Sequence, residues 1–109
     1  MEIVRTHQFL KDLKRIGASD ADRDRLETEI KARPEAGDLI QGLRGLRKIR
    51  FGIQGRGKSS GGRAIYWAIA ADVDGVIVLL TAYSKAEQAD LTPDQRKRLL
   101  SAMEEWDSD

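Results

Sequence analysis

Seven basic side chains, Arg44, Arg47, Lys48, Arg50, Arg56, Lys58 and Arg63, lie between Asp38 and Asp72, a stretch with no acidic residue. The remainder carries twelve Lys and Arg against eighteen Asp and Glu, so a chain of net charge +1 is strongly polarised along its length. A cationic block of this kind suits a polyanion, with nucleic acid the usual one. Farther on, Tyr83 and Lys85 add a phenol and another ammonium. Lys48, Arg50, Arg63, Tyr83 and Lys85 together cover what RNA needs for cleavage by its own 2′-hydroxyl. A base takes the hydroxyl proton, cations stabilise charge on the phosphorane, and a donor protonates the leaving oxygen. A lysine crowded by other cations can act as that base. An arginine can clamp the phosphate through two hydrogen bonds, and a tyrosine can stack on a base or donate a hydrogen bond.

Other chemistries are removed by composition. There are no cysteines, which excludes disulfides, zinc–thiolate centres and cysteine nucleophiles and fits a reducing cytoplasm. His7 is the single histidine and falls at a helix start, so a two-histidine acid–base pair is excluded and a zinc site is improbable. Residues Gly52 to Ser59 match the bare pattern of a phosphate-binding loop. Such a loop joins a parallel strand to a helix, whereas two glycines and a strand follow this one. A hairpin loop carrying Arg56 and Lys58 toward a polynucleotide backbone is the expected role. No apolar run approaches the ~20 residues of a membrane helix, and residues 1–10 lack the pattern of a secretory signal.

The elements that must position these side chains follow from periodicity. Ile3 to Arg5 suggests a short strand. Thr6 can cap a helix from His7 to about Ile16, with Phe9, Leu10, Leu13 and Ile16 as its apolar stripe. Ser19 opens a second helix, Asp20 to Ala32, that ends before Pro34 and has a narrow apolar edge. Glu35 to Gly45 reads as a connection. From Leu46 to Ile53 the period becomes two: Ile49, Phe51 and Ile53 face one way, Lys48 and Arg50 the other. Arg63 to Ala71 and Val76 to Tyr83 complete an antiparallel meander, the last strand apolar enough to be covered on both faces. Ser84 to Asp90 suggests one short helical turn. Thr92, Pro93 and Gln95 start a final helix, with Leu99, Leu100, Met103 and Trp106 as its buried stripe. The expectation is a single α+β domain over residues 1–109: a short strand, two N-terminal helices packed on one face of the sheet, three antiparallel strands and a C-terminal helix.

Four ordered segments add a resemblance. They are Gly45-Leu46-Arg47-Lys48-Ile49-Arg50-Phe51, Gly55 to Ser59, Gly61-Gly62-Arg63-Ala64-Ile65-Tyr66-Trp67, and Leu79 to Thr92 with its Tyr83-Ser84-Lys85 core. In order and spacing the chain resembles the HigB-like branch of the RelE/ParE toxin superfamily over roughly residues 36 to 105. The resemblance implies a RelE-like fold and ribosome-dependent cleavage of mRNA without a metal or other cofactor. It further implies a small helix-turn-helix antitoxin as partner, with operator DNA bound only through the toxin–antitoxin complex. By motif position, Lys48 and Arg50 match the basic residues of the family's second strand, Arg63 the arginine opening the third, and Lys85 the lysine after the last. Arg63 is then the expected phosphate clamp, with Lys48 or Lys85 as the acid–base group. Arg47, Arg56 and Lys58 are the expected RNA contacts. The chain departs from many RelE enzymes in having Ala86 after Lys85 and no tyrosine within residues 92–109; Tyr83 is the available substitute.

Two rivals share this sequence signal. A ParE-like gyrase poison has the same fold and no RNase activity, but such proteins usually lack the cationic strand cluster. A basic module that binds nucleic acid without cutting it would need the cations and no acid–base set.

Overall fold

The computed structural model describes residues 1–54, 61–70 and 74–107. In chain order the elements are β1 (Glu2–Arg5), α1 (His7–Arg15), α2 (Asp20–Ala32), β2 (Asp38–Leu39), β3 (Arg47–Phe51), β4 (Gly62–Ile69), β5 (Val76–Ser84) and α3 (Pro93–Asp107). The strands form one mixed sheet in the order β1-β5-β4-β3-β2. β1 runs parallel to β5, and every other pairing is antiparallel. The fold is therefore α+β, with the expected meander at its centre.

Local signals explain the helices. The Thr6 side chain accepts the Phe9 N–H, while Ser19 and Asp22 form a reciprocal capping box. Thr92 and Gln95 do the same at α3: the Gln95 N–H donates to Thr92 Oγ1 at 3.1 Å, and the Thr92 N–H to Gln95 Oε1 at 2.9 Å. Lys14 and Arg15 sit in the last turn of α1, where a positive charge complements the helix dipole.

Two apolar layers hold the sheet. On one face, Phe9 and Leu13 of α1, its C-cap Ile16, and Leu26 and Ile30 of α2 pack on Ile49, Phe51, Ala64, Tyr66, Ile77, Leu79 and Ala82. On the other, Leu99 and Met103 of α3 pack with Leu43, Leu46 and Leu91 on Ile65, Val78, Leu80 and Tyr83. Burying each large aliphatic or aromatic side chain contributes about 1.5–3 kcal/mol. The two N-terminal helices thus share one face, as expected, and α3 takes the other.

Four details depart from the sequence reading. β2 forms inside the segment read as a connection, because Asp38 and Leu39 pair with Lys48 and Arg47. Residues 85–87 make a hydrogen-bonded turn rather than a helical turn, closed by the Glu87 N–H on the Ser84 carbonyl. Leu10 and Trp106 are exposed, since each lies to the side of its helix's buried line. Finally, β5 contains a bulge: Tyr66 pairs with Leu79 and Ile65 with Thr81, leaving Leu80 as an extra residue. One inserted residue reverses side-chain alternation. Ile77 and Leu79 face α1 and α2 before the bulge; beyond it Ala82 faces them and Tyr83 points to the opposite side.

Candidate functional site

The site grows from the register of β3, β4 and β5. Arg50 pairs with Arg63, and Arg63 with Tyr83, so these three side chains form a row across one face of the sheet. Lys48 lies two residues from Arg50 on the same side of β3. Ile49 and Phe51, in between and beyond, are buried under α1 and α2 and fix which way the two cations point. Gly62 permits the close approach: a Cβ there would stand 2.6 Å from the Phe51 ring, so a larger residue would displace β3 from β4 beside Arg63. The β5 bulge supplies the remaining member by turning Tyr83 into this row.

Their environments differ. Arg50 is exposed and, among the described residues, makes no ion pair. Arg63 is buried, and its Nη1 donates to the Gly62 carbonyl at 3.1 Å. Tyr83 is 1% exposed. Burial pushes its hydroxyl up to about 12, with the Asp90 charge acting in the same direction and Arg63 opposing it. The phenol therefore stays protonated at neutral pH and keeps its proton to donate. The Lys48 ammonium donates to Asp90 Oδ1 at 3.3 Å, and the Tyr83 hydroxyl reaches the same oxygen at 3.5 Å. Asp90 lies below the usual carboxylate range, through the Leu91 N–H first and, against its partial desolvation, through Lys48. It is ionised wherever RNA chemistry runs at neutral pH.

Beside this row opens a polar cleft of about 450 Å³, lined by Asp38, Leu39, Ile40, Gln41, Lys48, Asp90 and Arg96. A second cleft, about 480 Å³, lies between α1, β5 and α3 and includes Asp12, Arg15, Leu80 and Leu99. Its size does not make it the better site for a phosphate, because Asp12, Arg15 and Glu87 are already paired with one another there.

The structure brings Lys48, Arg50, Arg63 and Tyr83 together and sets two other sequence candidates apart from them. Lys85 lies near the start of β4, its N–H donating to the Gly61 carbonyl at 3.0 Å. Its ammonium turns back onto the Ala89 carbonyl at 3.2 Å, and no described contact joins it to the row. Arg47 alternates to the other side of β3 from Lys48. Its guanidinium holds the carbonyls of Gly37 and Glu35 at 2.8 and 3.3 Å, which ties down the chain after α2. Arg56 and Lys58 lie outside the described residues. Asp90 was not singled out by sequence. It lies 42 positions from Lys48, and the available signal was its place as the one acid between the Tyr83-Ser84-Lys85 run and the cap of α3 apart from Glu87.

Known structures share this arrangement of elements. Isolated Escherichia coli RelE aligns over 90% of this chain and 94% of its own, at 19% identity and a TM-score of 0.53. A double arginine-to-alanine mutant of E. coli RelE in the free state aligns over 81% and 86%, at 20% identity and a TM-score of 0.53. A YoeB/ParE toxin from Agrobacterium tumefaciens aligns over 77% and 98%, at 17% identity and a TM-score of 0.56. The chain has the RelE/ParE toxin fold. No family model matches the sequence. Within the RelE/ParE fold, the Lys48–Arg50–Arg63–Tyr83 row occupies the sheet face on the α3 side, flanked by the turn that carries Asp90.

Proposed function

We propose that this protein is the toxin of a type II toxin–antitoxin pair, of the HigB-like branch, and an endoribonuclease that cuts mRNA on the ribosome. The row of Lys48, Arg50, Arg63 and Tyr83 on one sheet face is the observation that carries this reading. A scissile phosphate placed over it would meet a guanidinium fork, two further cations and a phenolic donor. Arg63, buried and held by its surroundings, is suited to clamp the phosphate with little reorganisation. Lys48 and Arg50 then stabilise charge that develops on the phosphorane, and Tyr83 donates to a phosphate or leaving oxygen. The ribose hydroxyl attacks in line, giving its proton to a base outside the row in the ribosome complex, and the phosphorus–5′-oxygen bond breaks with protonation of the leaving oxygen, yielding a cyclic phosphate and a 5′-hydroxyl. No side chain in the row is an evident strong base, which accords with a reaction that depends on the ribosome to orient the message.

The partner follows from the same reading: a small helix-turn-helix antitoxin that covers the toxin and brings the complex to operator DNA. The place of action is the cytoplasm, where translating ribosomes are. Among the described residues no helix is long and apolar enough to cross a membrane.

The test is direct. Purified protein added to translating ribosomes should generate new mRNA 5′ ends, and Arg63→Ala should lower their yield by about 10²–10³-fold. The likeness to a YoeB/ParE toxin keeps a second reading in view. Intact messages together with inhibited gyrase supercoiling would establish a gyrase poison instead. Binding of RNA with no cleavage under any ribosome condition would leave only a nucleic-acid-binding module.

A further inference from the structure

We propose that Asp90 is a positioning residue, which through one carboxylate oxygen ties the Lys48 ammonium and the Tyr83 hydroxyl into a single donor pair above β4. The inference rests on the nuclease reading for its consequence and on geometry for its existence. Lys48 is on β3 and Tyr83 on β5, with β4 between them. Their strands are therefore about 9–10 Å apart, the two residues are offset by two positions along them, and their side chains have no reason of their own to meet. They converge because Oδ1 of Asp90 accepts from both, at 3.3 and 3.5 Å.

The carboxylate is held in place before either donor reaches it. Leu91, next in the chain, is buried in the core beneath α3, and its N–H donates to the same Oδ1 at 2.7 Å. Gln88 Nε2 donates to the Asp90 carbonyl at 2.8 Å and to Gln95 Oε1 of α3 at 2.7 Å. At the other end of the turn, the Ser84 N–H donates to Glu87 Oε2 at 2.9 Å. The turn is thus fastened to β5 and to α3, and Asp90 projects from it with its side chain 67% exposed. Among the described residues, Oδ2 accepts no hydrogen bond.

The charges around Lys48 make the tie consequential. Arg50 extends from the same side of its own strand and Arg63 from β4, with Arg96 of α3 across the cleft. All three repel an ammonium and favour its swinging into solvent. Asp38, opposite Lys48 on β2, lines the same cleft, but the ion pair is made with Asp90. Asp90 therefore aims Lys48 along the row toward Tyr83 rather than outward. A group held in position before the substrate arrives need not be ordered at the moment of reaction. A displacement of about 1 Å can lower a rate by about a hundredfold.

Three variants separate the contributions. Asp90→Asn keeps an oxygen and removes the charge, Asp90→Glu keeps the charge on a longer stem, and Asp90→Ala removes both. The first readout needs no RNA. In 15N-lysine-labelled protein, a tethered Lys48 ammonium should exchange slowly enough to give a resolved NMR signal, assigned by its loss in Lys48→Arg. That signal should vanish in Asp90→Ala and broaden in Asp90→Asn. Parent protein without such a signal, or variants that retain it unchanged, would refute the tie. The second readout is cleavage on the ribosome. The expected result for Asp90→Asn is a kcat lower by about ten- to a hundredfold, with KM within about threefold and partial recovery in Asp90→Glu. Unchanged kcat with raised KM would overturn the proposal, as would a melting point lowered enough to mark Asp90 as a structural residue. Parent protein that cuts nothing would remove the nuclease reading, and the NMR result would still decide whether Asp90 holds the pair.

Discussion

Two aspartates flank β5, and each joins a cation and a hydroxyl, one of the two coming from a distant part of the chain. Asp12 is 2% exposed, and its neighbours use it fully. Thr81 Oγ1 and the Ala82 N–H donate to Oδ2, while Gln8 and Arg15 donate to Oδ1. Arg15 in turn donates to the Ala82 carbonyl at 3.1 Å and pairs with Glu87. β1 stops pairing at Leu79, so Asp12 and Arg15 serve Ala82's backbone groups where an adjoining strand would have done so. Asp90 is the opposite case. It is exposed, it engages through one oxygen, and with its partner Lys48 it borders an open cleft. A carboxylate whose lone pairs all serve the protein closes a structure, whereas one that only tethers cations leaves them able to meet a ligand. The same residue type therefore closes the structure on one side of β5 and tethers a cation beside a cleft on the other, and burial decides which.

Mutations can break this contrast. The largest effect is expected for Arg63→Ala, which should lower cleavage on the ribosome by about 10²–10³-fold, the usual loss when one fixed donor to a developing oxyanion is removed. Mapping of mRNA 5′ ends together with growth on induction checks it; a variant still as toxic as the parent would remove Arg63 from the site. Next is Asp12→Ala, which strands the Thr81 hydroxyl and the Ala82 N–H and should cost about 2–3 kcal/mol in denaturant unfolding. Cleavage per folded molecule should be unaffected. A nearly neutral Asp12→Ala would erase the distinction between the two aspartates.

Smaller effects sharpen it. Lys85→Ala should reduce cleavage less than about tenfold, because the Lys85 ammonium faces the Ala89 carbonyl rather than the row. A loss of a hundredfold would bring Lys85 into the chemistry, as the family resemblance implies. Tyr83→Phe should change the pH dependence of stability only in alkali. The folded hydroxyl sits at about 12 against an ordinary 10.0, chiefly through burial. A raised acid contributes stability that is full below the unfolded value and falls as pH rises from about 10 toward 12. Melting of the parent should drop through that window more steeply than melting of the variant. The smallest effect belongs to Glu87→Gln. Arg15 holds the Glu87 carboxyl below its ordinary 4.5, so its contribution is present above that pH and lost on acidification. With the pair partly exposed, the difference should stay below about 1 kcal/mol, visible as a shallower acid limb in the variant.

Much of this was legible in the residues. Alternation of Ile49 and Phe51 with Lys48 and Arg50 indicated both the strand and its cationic side. Thr6, Ser19 and Thr92 marked three helix starts. Other features were hidden for physical reasons. β2 is two residues long and exists only because β3 offers it an edge. Continuous apolarity in β5 shows burial on both faces but carries no phase, so the bulge that directs Tyr83 is invisible in it. Alternation already sets Arg47 on the side of Ile49 and Phe51, but that it serves the Gly37 and Glu35 carbonyls depends on a segment ten or more positions away. Asp90 and Asp12 are single acids in polar segments, with nothing local to distinguish them.

Composition and periodicity by themselves determined the α+β class, the basic block and the absence of cysteine chemistry, because these depend on residue type and near-neighbour spacing. Tertiary structure alone decided which cations share a face, which aspartate is buried and which tethers, and where Tyr83 points. Those outcomes depend on strand register and on the meeting of segments 42 or 70 positions apart. No local pattern encodes such distances.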